Sequence, residues 1–405
     1  MRRVDAAAVA ASIAVAILGG PAQADVTAFE KVRLIVGDGR VIENATLVID
    51  GNKITQAGQG VSVPAGATRV DLAGKTMMPA IIDTHVHLSP TRERLIRDLK
   101  MRGWYGVSAA LSLGLDNYDL LDIRGQDIPG AARFFSAGRG ITMPEPGRIT
   151  APHWITTETE GRKAIQELAE KKVDIVKVWV DTRDSKFRKL SPDLYGPIID
   201  EAHKNNLRVT AHIFDLEDGK GLIRAGVDAF AHGVRDRPID DEFLALWKQR
   251  SNLVLGPNLP DRGVKVDMSW MKAGVSPEEY EKLQKANVDN AVLAAFHGIQ
   301  ARNLAVMNNT GARIVLGTDG NRAWGPHEEM QDMVLAGMTP MQVIVAATRN
   351  GAEFLRMADA GTLEVGKSAD FIVLDGNPLD DITNTRKIRS VVLRGVSLDR
   401  SQPVR

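Results

Sequence analysis

The chain has 405 residues, of which 44% are hydrophobic and 25% charged, the balance of a soluble globular protein with room for one large domain and a smaller one. Lys plus Arg and Asp plus Glu number 51 each, so no global field favours nucleic acid or an anionic membrane surface. The absence of cysteine excludes a disulfide framework, a thiolate nucleophile and a Cys-ligated zinc, leaving the eight histidines and the carboxylates as candidate metal donors.

Residues 1–24 join a basic start, Met1-Arg2-Arg3, to the apolar run "AAAVAASIAVAILGG", with small residues Ala22 and Ala24 at signal-peptidase spacing. This pattern predicts a signal peptide cleaved near Ala24, a periplasmic or secreted mature protein, and no stable membrane anchor after cleavage. An uncleaved N-terminal anchor is the alternative.

Residues 25–78 read as short alternating strands separated by Gly-Asp-Gly and Asp-Gly-Asn turns. Residues 360–405 repeat that character in "GKSADFIVLDGNPLDD" and "IRSVVLRGVSL". Together the two ends predict a small composite β-sandwich domain. Between them, across 79–359, apolar runs alternate with helical periodicity. The runs are "PAIIDTHVHL", "GVSAALSLG", "ARFFSAGRG", "DIVKVWV", "LRVTAHIF", "DAFAHGV", "NLVLGPN" and "ARIVLGTDG". Helical stretches include "GRKAIQELAEKK", "SPDLYGPIIDEAHKNN", "LEDGKGLIRAG" and "SPEEYEKLQKANVDNAVLAAFHGIQARNLAVMNNTG". Such alternation over roughly 280 residues predicts an α/β fold, a (β/α)8 TIM barrel, whose chemistry sits at the carboxyl ends of its strands.

Polar residues fall at those ends. His85 and His87 close the first run, and residues two apart on a strand share a face. Lys177 stands inside "DIVKVWV", His212 follows "LRVTA", His232 follows "DAFA" and Asp319 follows "RIVLGT". Taken singly, each has a plain structural reading as a satisfied core histidine, a lysine whose amine snorkels outward, or a turn aspartate. Their recurrence at successive strand ends points instead to one metal centre. Imidazoles and carboxylates suit Zn²⁺ or a related ion, and Mn, Co and Fe accept the same donors. Two such ions about 3.5–4 Å apart share a hydroxide and polarise a substrate oxygen. A lysine ammonium cannot bridge two cations, whereas its carbamate, formed with CO₂, offers two oxygens.

The ordered set of His-x-His, strand-four Lys, two later single His and a final Asp resembles the metal-dependent amidohydrolase superfamily. "VDIVKVWV", "EAHKNNLRVTAH", "AGVDAFAHG" and "GARIVLGTDG" resemble its imidazolonepropionase-like and prolidase-like branch. The resemblance runs from about Val32 to Val396 and takes in "GKSADFIVLD". It implies that His85, His87 and Asp319 bind the more buried of two divalent ions, with zinc the first expectation. It implies further that Lys177 bridges as a carbamate and that His212 and His232 hold the second ion. Asp319 would also take the proton from the bridging water and pass it to the leaving group. Two positions depart from the pattern. Ala80 replaces the glycine of the usual Pro-Gly before the first strand. Phe214 stands where dipeptidase-like members often carry Tyr, which removes one donor for a substrate carboxylate.

Candidate substrate contacts flank these strands. The long loop "SAGRGITMPEPGRITAPHW" is expected to overhang the site, with His153 either donating to substrate or simply solvated. Arg235 and Arg237, just past His232, either pair with a substrate carboxylate or serve the adjacent Asp236, Asp240 and Asp241. In "DGNRAWGPHEEM", Arg322, Trp324 and His327 come near the mouth, Trp324 as a subsite wall and His327 as substrate contact or loop brace. The expected protein is an exported binuclear hydrolase cleaving the C–N bond of a small-molecule amide, a dipeptide or an N-acyl amino acid. Hydrolysis of a lactone, ester or carbamate is the alternative. A metal-binding protein without turnover is a further one, against which the intact Asp319 argues. Self-association into a homo-oligomer stays open.

Overall fold

The computed structural model describes residues 26–401, so the signal-peptide expectation for 1–24 lies outside the described residues. The chain opens with strands β1 (Thr27–Ile35), β2 (Val41–Asp50), β3 (Lys53–Gly58), β4 (Thr68–Asp71) and β5 (Thr76–Pro79). A parallel series follows: β6 (Ile81–Val86), β7 (Val107–Ser112), β8 (Arg133–Ser136), β9 (Ile141–Thr142), β10 (His153–Trp154), β11 (Val176–Val180), β12 (Val209–Ile213), β13 (Ala229–Phe230), β14 (Val254–Leu255) and β15 (Arg313–Ile314). The chain finishes with β16 (Phe371–Leu374), β17 (Ile388–Leu393) and β18 (Val396–Ser397).

The two ends meet in one sheet, ordered β18-β17-β16-β5-β1-β2-β3 with β4 beside β1. Antiparallel pairing of β16 with β5 makes the join. The sheet curls until β3 reaches the segment before β16, where Ile54 N donates to Lys367 O (2.9 Å) and Gly366 N to Ile54 O (2.8 Å). Val32, Leu34, Leu47, Ile54, Met77 and Phe371 fill the space it encloses. By its hydrogen bonds the expected sandwich is thus one continuous curled sheet.

Each of the eight apolar runs of the middle region contains one strand. β6-β7-β8 form one parallel sheet, and β10-β9-β11-β12-β13-β14-β15 another. Backbone bonds link the two sheets at both borders: Asp174 N donates to Ser136 O (3.0 Å), and Thr84 N to Leu316 O (2.9 Å). β11, "VKVWV", is buried at every residue, as a strand covered on both faces must be. Helices lie between the strands: α1 (Arg92–Trp104), α2 (Glu158–Glu170), α3 (Pro192–Lys204), α4 (Leu216–Ala225), α5 (Asp241–Lys248), α6 (Pro277–Ala286), α7 (Ala291–Asn309) and α8 (Gly325–Leu335).

Local chemistry sets their ends. Thr157 and Glu160 form a reciprocal capping box that starts α2. Pro192 occupies the first turn of α3, whose buried Tyr195, Ile198, Ile199 and Ala202 follow the helical repeat. Gly226, at φ +98°, ends α4 in the left-handed conformation that glycine adopts without strain. The stretch "SPEEYEKLQKANVDNAVLAAFHGIQARNLAVMNNTG", read as one helix, is two. Asn290 caps a new start by accepting from Val292 N and Leu293 N, and this separates α6 from α7.

Candidate metal centre

β6 aims a file of alternate residues at one place. Asp83 and His85 are almost fully buried on it, and His87 follows just past its end. His85 Nδ1 faces two acceptors, Ala231 O (3.1 Å) and Asn258 Oδ1 (3.0 Å), so it carries the proton and leaves Nε2 a free lone pair. That Nε2 lies 3.2 Å from Asp319 Oδ1, and His87 Nε2 lies 3.1 Å from the same oxygen. His85, His87 and Asp319 thereby present three donors within 4.8 Å of one another.

The other three join this group from the next strands. Lys177 on β11 is wholly buried with Nζ 3.5 Å from His85 Nε2. His232 Nε2 lies 3.5 Å from Asp319 Oδ2 and is buried without a hydrogen bond. The His212 and His232 ring centroids are 4.5 Å apart. All six sequence-derived donors therefore converge. Only His87 and Asp319 keep appreciable side-chain exposure, 25% and 34%, so the centre opens on their side.

Burial governs the protonation states. It holds His85 and His232 well below the usual imidazole range and lowers His212 to about 3, so all three are neutral and able to ligate. Burial also lowers Lys177 to about 7, against the opposing pull of Asp319. For Asp319 burial acts upward, but the facing His85, His87 and Lys177 outweigh it and hold the carboxyl below its usual range. Asp319 sits at φ +51°, a left-handed position that Asp and Asn tolerate better than other side-chain-bearing residues.

Asp181, Arg183, Arg102 and Asp83, which sequence reasoning missed, build the surroundings together with the expected Arg235. Asp181 Oδ2 accepts from His212 Nε2 at 2.8 Å, which leaves His212 Nδ1 free for a cation. Arg183, bound to Asp181 and Glu145, lies 3.1 Å from the same His212 nitrogen. Arg235 is buried, and its guanidinium contacts His232 Nδ1. Arg102 Nη1 pairs with Asp83 Oδ2 at 3.1 Å, both fully buried, and Arg102 Nη2 donates to Gly320 O at 3.1 Å. Asp83 also accepts from Thr318 Oγ1 at 2.8 Å. This buried set ties α1 and β6 to the segment that carries Asp319. Asp83 had a readable signal, since it precedes His85 by two on the same strand face. Arg102→Met should cost about 3 kcal/mol in urea unfolding, because it leaves a buried carboxylate without its cation. Activity should fall as well, through loss of the brace under Gly320.

The other expected contacts lie elsewhere. His153 sits on β10, bonded to Tyr118 Oη (2.9 Å) and 3.7 Å from Glu167 Oε1, because its loop is drawn into the sheet as β9 and β10, with β9 between β10 and β11. That loop reaches the centre through Glu145, which meets Arg183. Trp324 is buried at the start of α8 among Trp104, Tyr105, Met268, Met271 and Leu283, so its ring packs a satellite core and does not wall the cavity beside Asp319. His327 bridges Thr385 Oγ1 (3.1 Å) and Tyr105 O (2.9 Å), which makes it a brace. Arg237 pairs with Asp236 at the surface.

With this geometry in place, likeness to known proteins decides the family. Residues 76–398 match the amidohydrolase family. The chain belongs to that family. This amidohydrolase is 26% identical to the ochratoxinase of Aspergillus niger over 90% of its own length and 84% of the relative's. It is 22% identical to the imidazolonepropionase of Deinococcus radiodurans, over 90% and 94% of the two chains. A crystal structure of a candidate prolidase from Bifidobacterium longum superposes with a TM-score of 0.77 at 25% identity, covering 94% of this chain and 96% of that one. These likenesses place it in the imidazolonepropionase-like and prolidase-like branch. The fold neighbours imply a TIM barrel, and the protein is a metal-dependent enzyme that hydrolyses amide bonds of small molecules.

Proposed function

We propose that this amidohydrolase is an exported binuclear enzyme that cleaves the amide bond of a dipeptide or an N-acyl amino acid. The observation that carries this reading is the convergence of His85, His87, His212, His232 and Asp319 around the buried amine of Lys177. His85, His87 and Asp319 would hold one ion, and His212 and His232 the other, with zinc the first candidate for imidazole donors. Lys177 would join them as a carbamate, the form in which a buried lysine carries bridging oxygens. When bound, such a pair lowers the pKa of water and polarises the scissile carbonyl.

The protein's own groups do the rest. Asp319 takes a proton from the attacking water through a carboxylate oxygen and returns it to the leaving nitrogen. Asn258 and Ala231 O keep the His85 proton on Nδ1. Asp181 keeps the His212 proton on Nε2. Ligation by His232 Nε2 requires its proton on Nδ1, so the Arg235 guanidinium must leave that nitrogen, which frees it for a substrate carboxylate or for the carbamate.

The same reading takes β6, β7, β8 and β11 through β15 as a closed barrel spanning 79–359. Its support is the pair of backbone links at the sheet borders. A composite domain of 25–78 with 360–405 rests on the shared curled sheet. Export rests on the basic, apolar and small-residue pattern of 1–24.

The test is amine release by protein beginning at Asp25, prepared with Zn²⁺ and bicarbonate, on dipeptides, N-acyl amino acids, aryl carbamates and lactones, with and without chelator. Turnover confined to the first two classes, abolished by chelator and restored by zinc, is expected. Silence there with turnover of lactones or carbamates would keep the metal centre and overturn the substrate reading.

A further inference from the structure

A cavity of about 370 Å³ opens beside Asp319, bounded by Thr318 to Gly320, the 259–270 segment, α6 and the start of α8. Charged side chains crowd it, and nearly all are engaged. Arg262 Nε lies 2.9 Å from Asp332 Oδ1. Arg386 donates to Gln331 Oε1 (2.8 Å), and its guanidinium lies over the Trp270 ring. Glu329 accepts from Leu259 N, Asp261 from Gly263 N, and Asp267 from Ser269 N.

Arg322 and Glu328 differ from these. Both line the cavity, and among the described residues neither side chain has a hydrogen-bond or ion-pair partner. Arg322 lies three residues after Asp319, and Glu328 is in the first turn of α8. One free cation and one free anion thus stand on the segment that also carries the proton-transferring carboxylate. Burial pushes the Glu328 carboxyl up, with Arg322 the foremost of the cations that offset it. A recessed carboxylate in that condition gains more from an ammonium partner than an exposed one does.

We propose that Arg322 and Glu328 form a clamp for a zwitterion, in which Arg322 reads the free α-carboxylate of a dipeptide and Glu328 its free α-ammonium. The inference rests on the amide-hydrolase reading above and sharpens it. An N-acyl amino acid offers the carboxylate but no ammonium, so the clamp selects dipeptides. A guanidinium fits a carboxylate by two parallel hydrogen bonds, and a single carboxylate suffices for the compact ammonium. Val266, Met268 and Trp270, which also line the cavity, supply apolar surface for the substrate's side chains.

The test compares kcat/KM for a set of apolar dipeptides, their N-acetyl derivatives and their C-terminal amides, in zinc-loaded wild type, Glu328→Gln and Arg322→Gln. Metal content and melting temperature are measured in each. In the wild type, capping either end should lower kcat/KM about tenfold or more, the worth of one charge-assisted hydrogen bond. Glu328→Gln should lose a similar factor on free dipeptides and become indifferent to N-acetylation. Arg322→Gln should become indifferent to amidation, and both variants should keep wild-type metal content. Equal turnover of free and capped substrates by the wild type overturns the clamp and leaves amide hydrolysis standing, as do variant losses that are the same on free and capped forms. Absence of turnover on every amide overturns both readings.

Discussion

Asp319→Asn should retain its metal and lose about 10³-fold in kcat, the scale of a positioned general acid–base group. Asn keeps the shape of Asp and an oxygen that can face His85 and His87, which lie 3.2 and 3.1 Å from Asp319 Oδ1. It also tolerates the φ of +51° at this position, where Ala would be strained. The fold and the imidazoles are therefore undisturbed, and what disappears is a carboxylate able to accept and release a proton. The checks are elemental analysis, a melting curve and kcat on one good substrate. If the variant holds its metal and keeps its rate, the base is elsewhere. If it loses both, Asp319 serves mainly as a ligand and the proton-transfer role is untenable.

What the sequence discloses of this site follows from how local the responsible physics is. Period-two alternation on a strand depends on neighbouring residues only, so the shared aim of His85 and His87 is readable, and Asp83 was equally readable by the same rule. Lys177 is legible because a charged amine inside "VKVWV" contradicts its surroundings. The contacts of Asp181, Arg183 and Arg235 are a different matter. They arise in loops after strands, where residues 183–185 take left-handed φ values of 53°, 58° and 64°, and no periodicity announces such a turn. Trp324 and His153 show the converse limit. Their neighbourhood in sequence is the active face, yet packing against Tyr105 and pairing with Tyr118 turn them to structural partners. The break between α6 and α7 hinges on the Asn290 cap, a single side chain competing with a helical pattern that otherwise runs through.

If the centre is the bridged pair proposed above, Lys177→Ala should leave at most one ion per chain and lower activity by at least about 10³-fold. The argument starts from cost. An amine with no exposure, 3.5 Å from an imidazole nitrogen and with Arg183 and Arg235 nearby, is a poor place for an ammonium. Burial lowers it to about 7, so near neutral pH a large fraction is the neutral amine, the form that adds to CO₂. That addition forms one N–C bond at the expense of one C=O π bond and releases one proton, turning the neutral amine into an anion. Counted from the ammonium, two protons leave and the charge reverses, and with it the sign of the interactions with Asp319 and with both arginines. As a carbamate the same residue would be stabilised by the arginines that disfavoured it, and it would offer two oxygens to ions held by the neighbouring histidines. A purely structural lysine gains nothing from this reversal. Three measurements separate the cases: metal per chain, the carbamate carbon signal after labelling with ¹³C-bicarbonate, and rescue of Lys177→Ala by acetate or propionate. Two ions and normal turnover in the variant would rule the carbamate out. Partial recovery of both metal and rate with a short carboxylate would show that what the centre requires at Lys177 is a bridging anion.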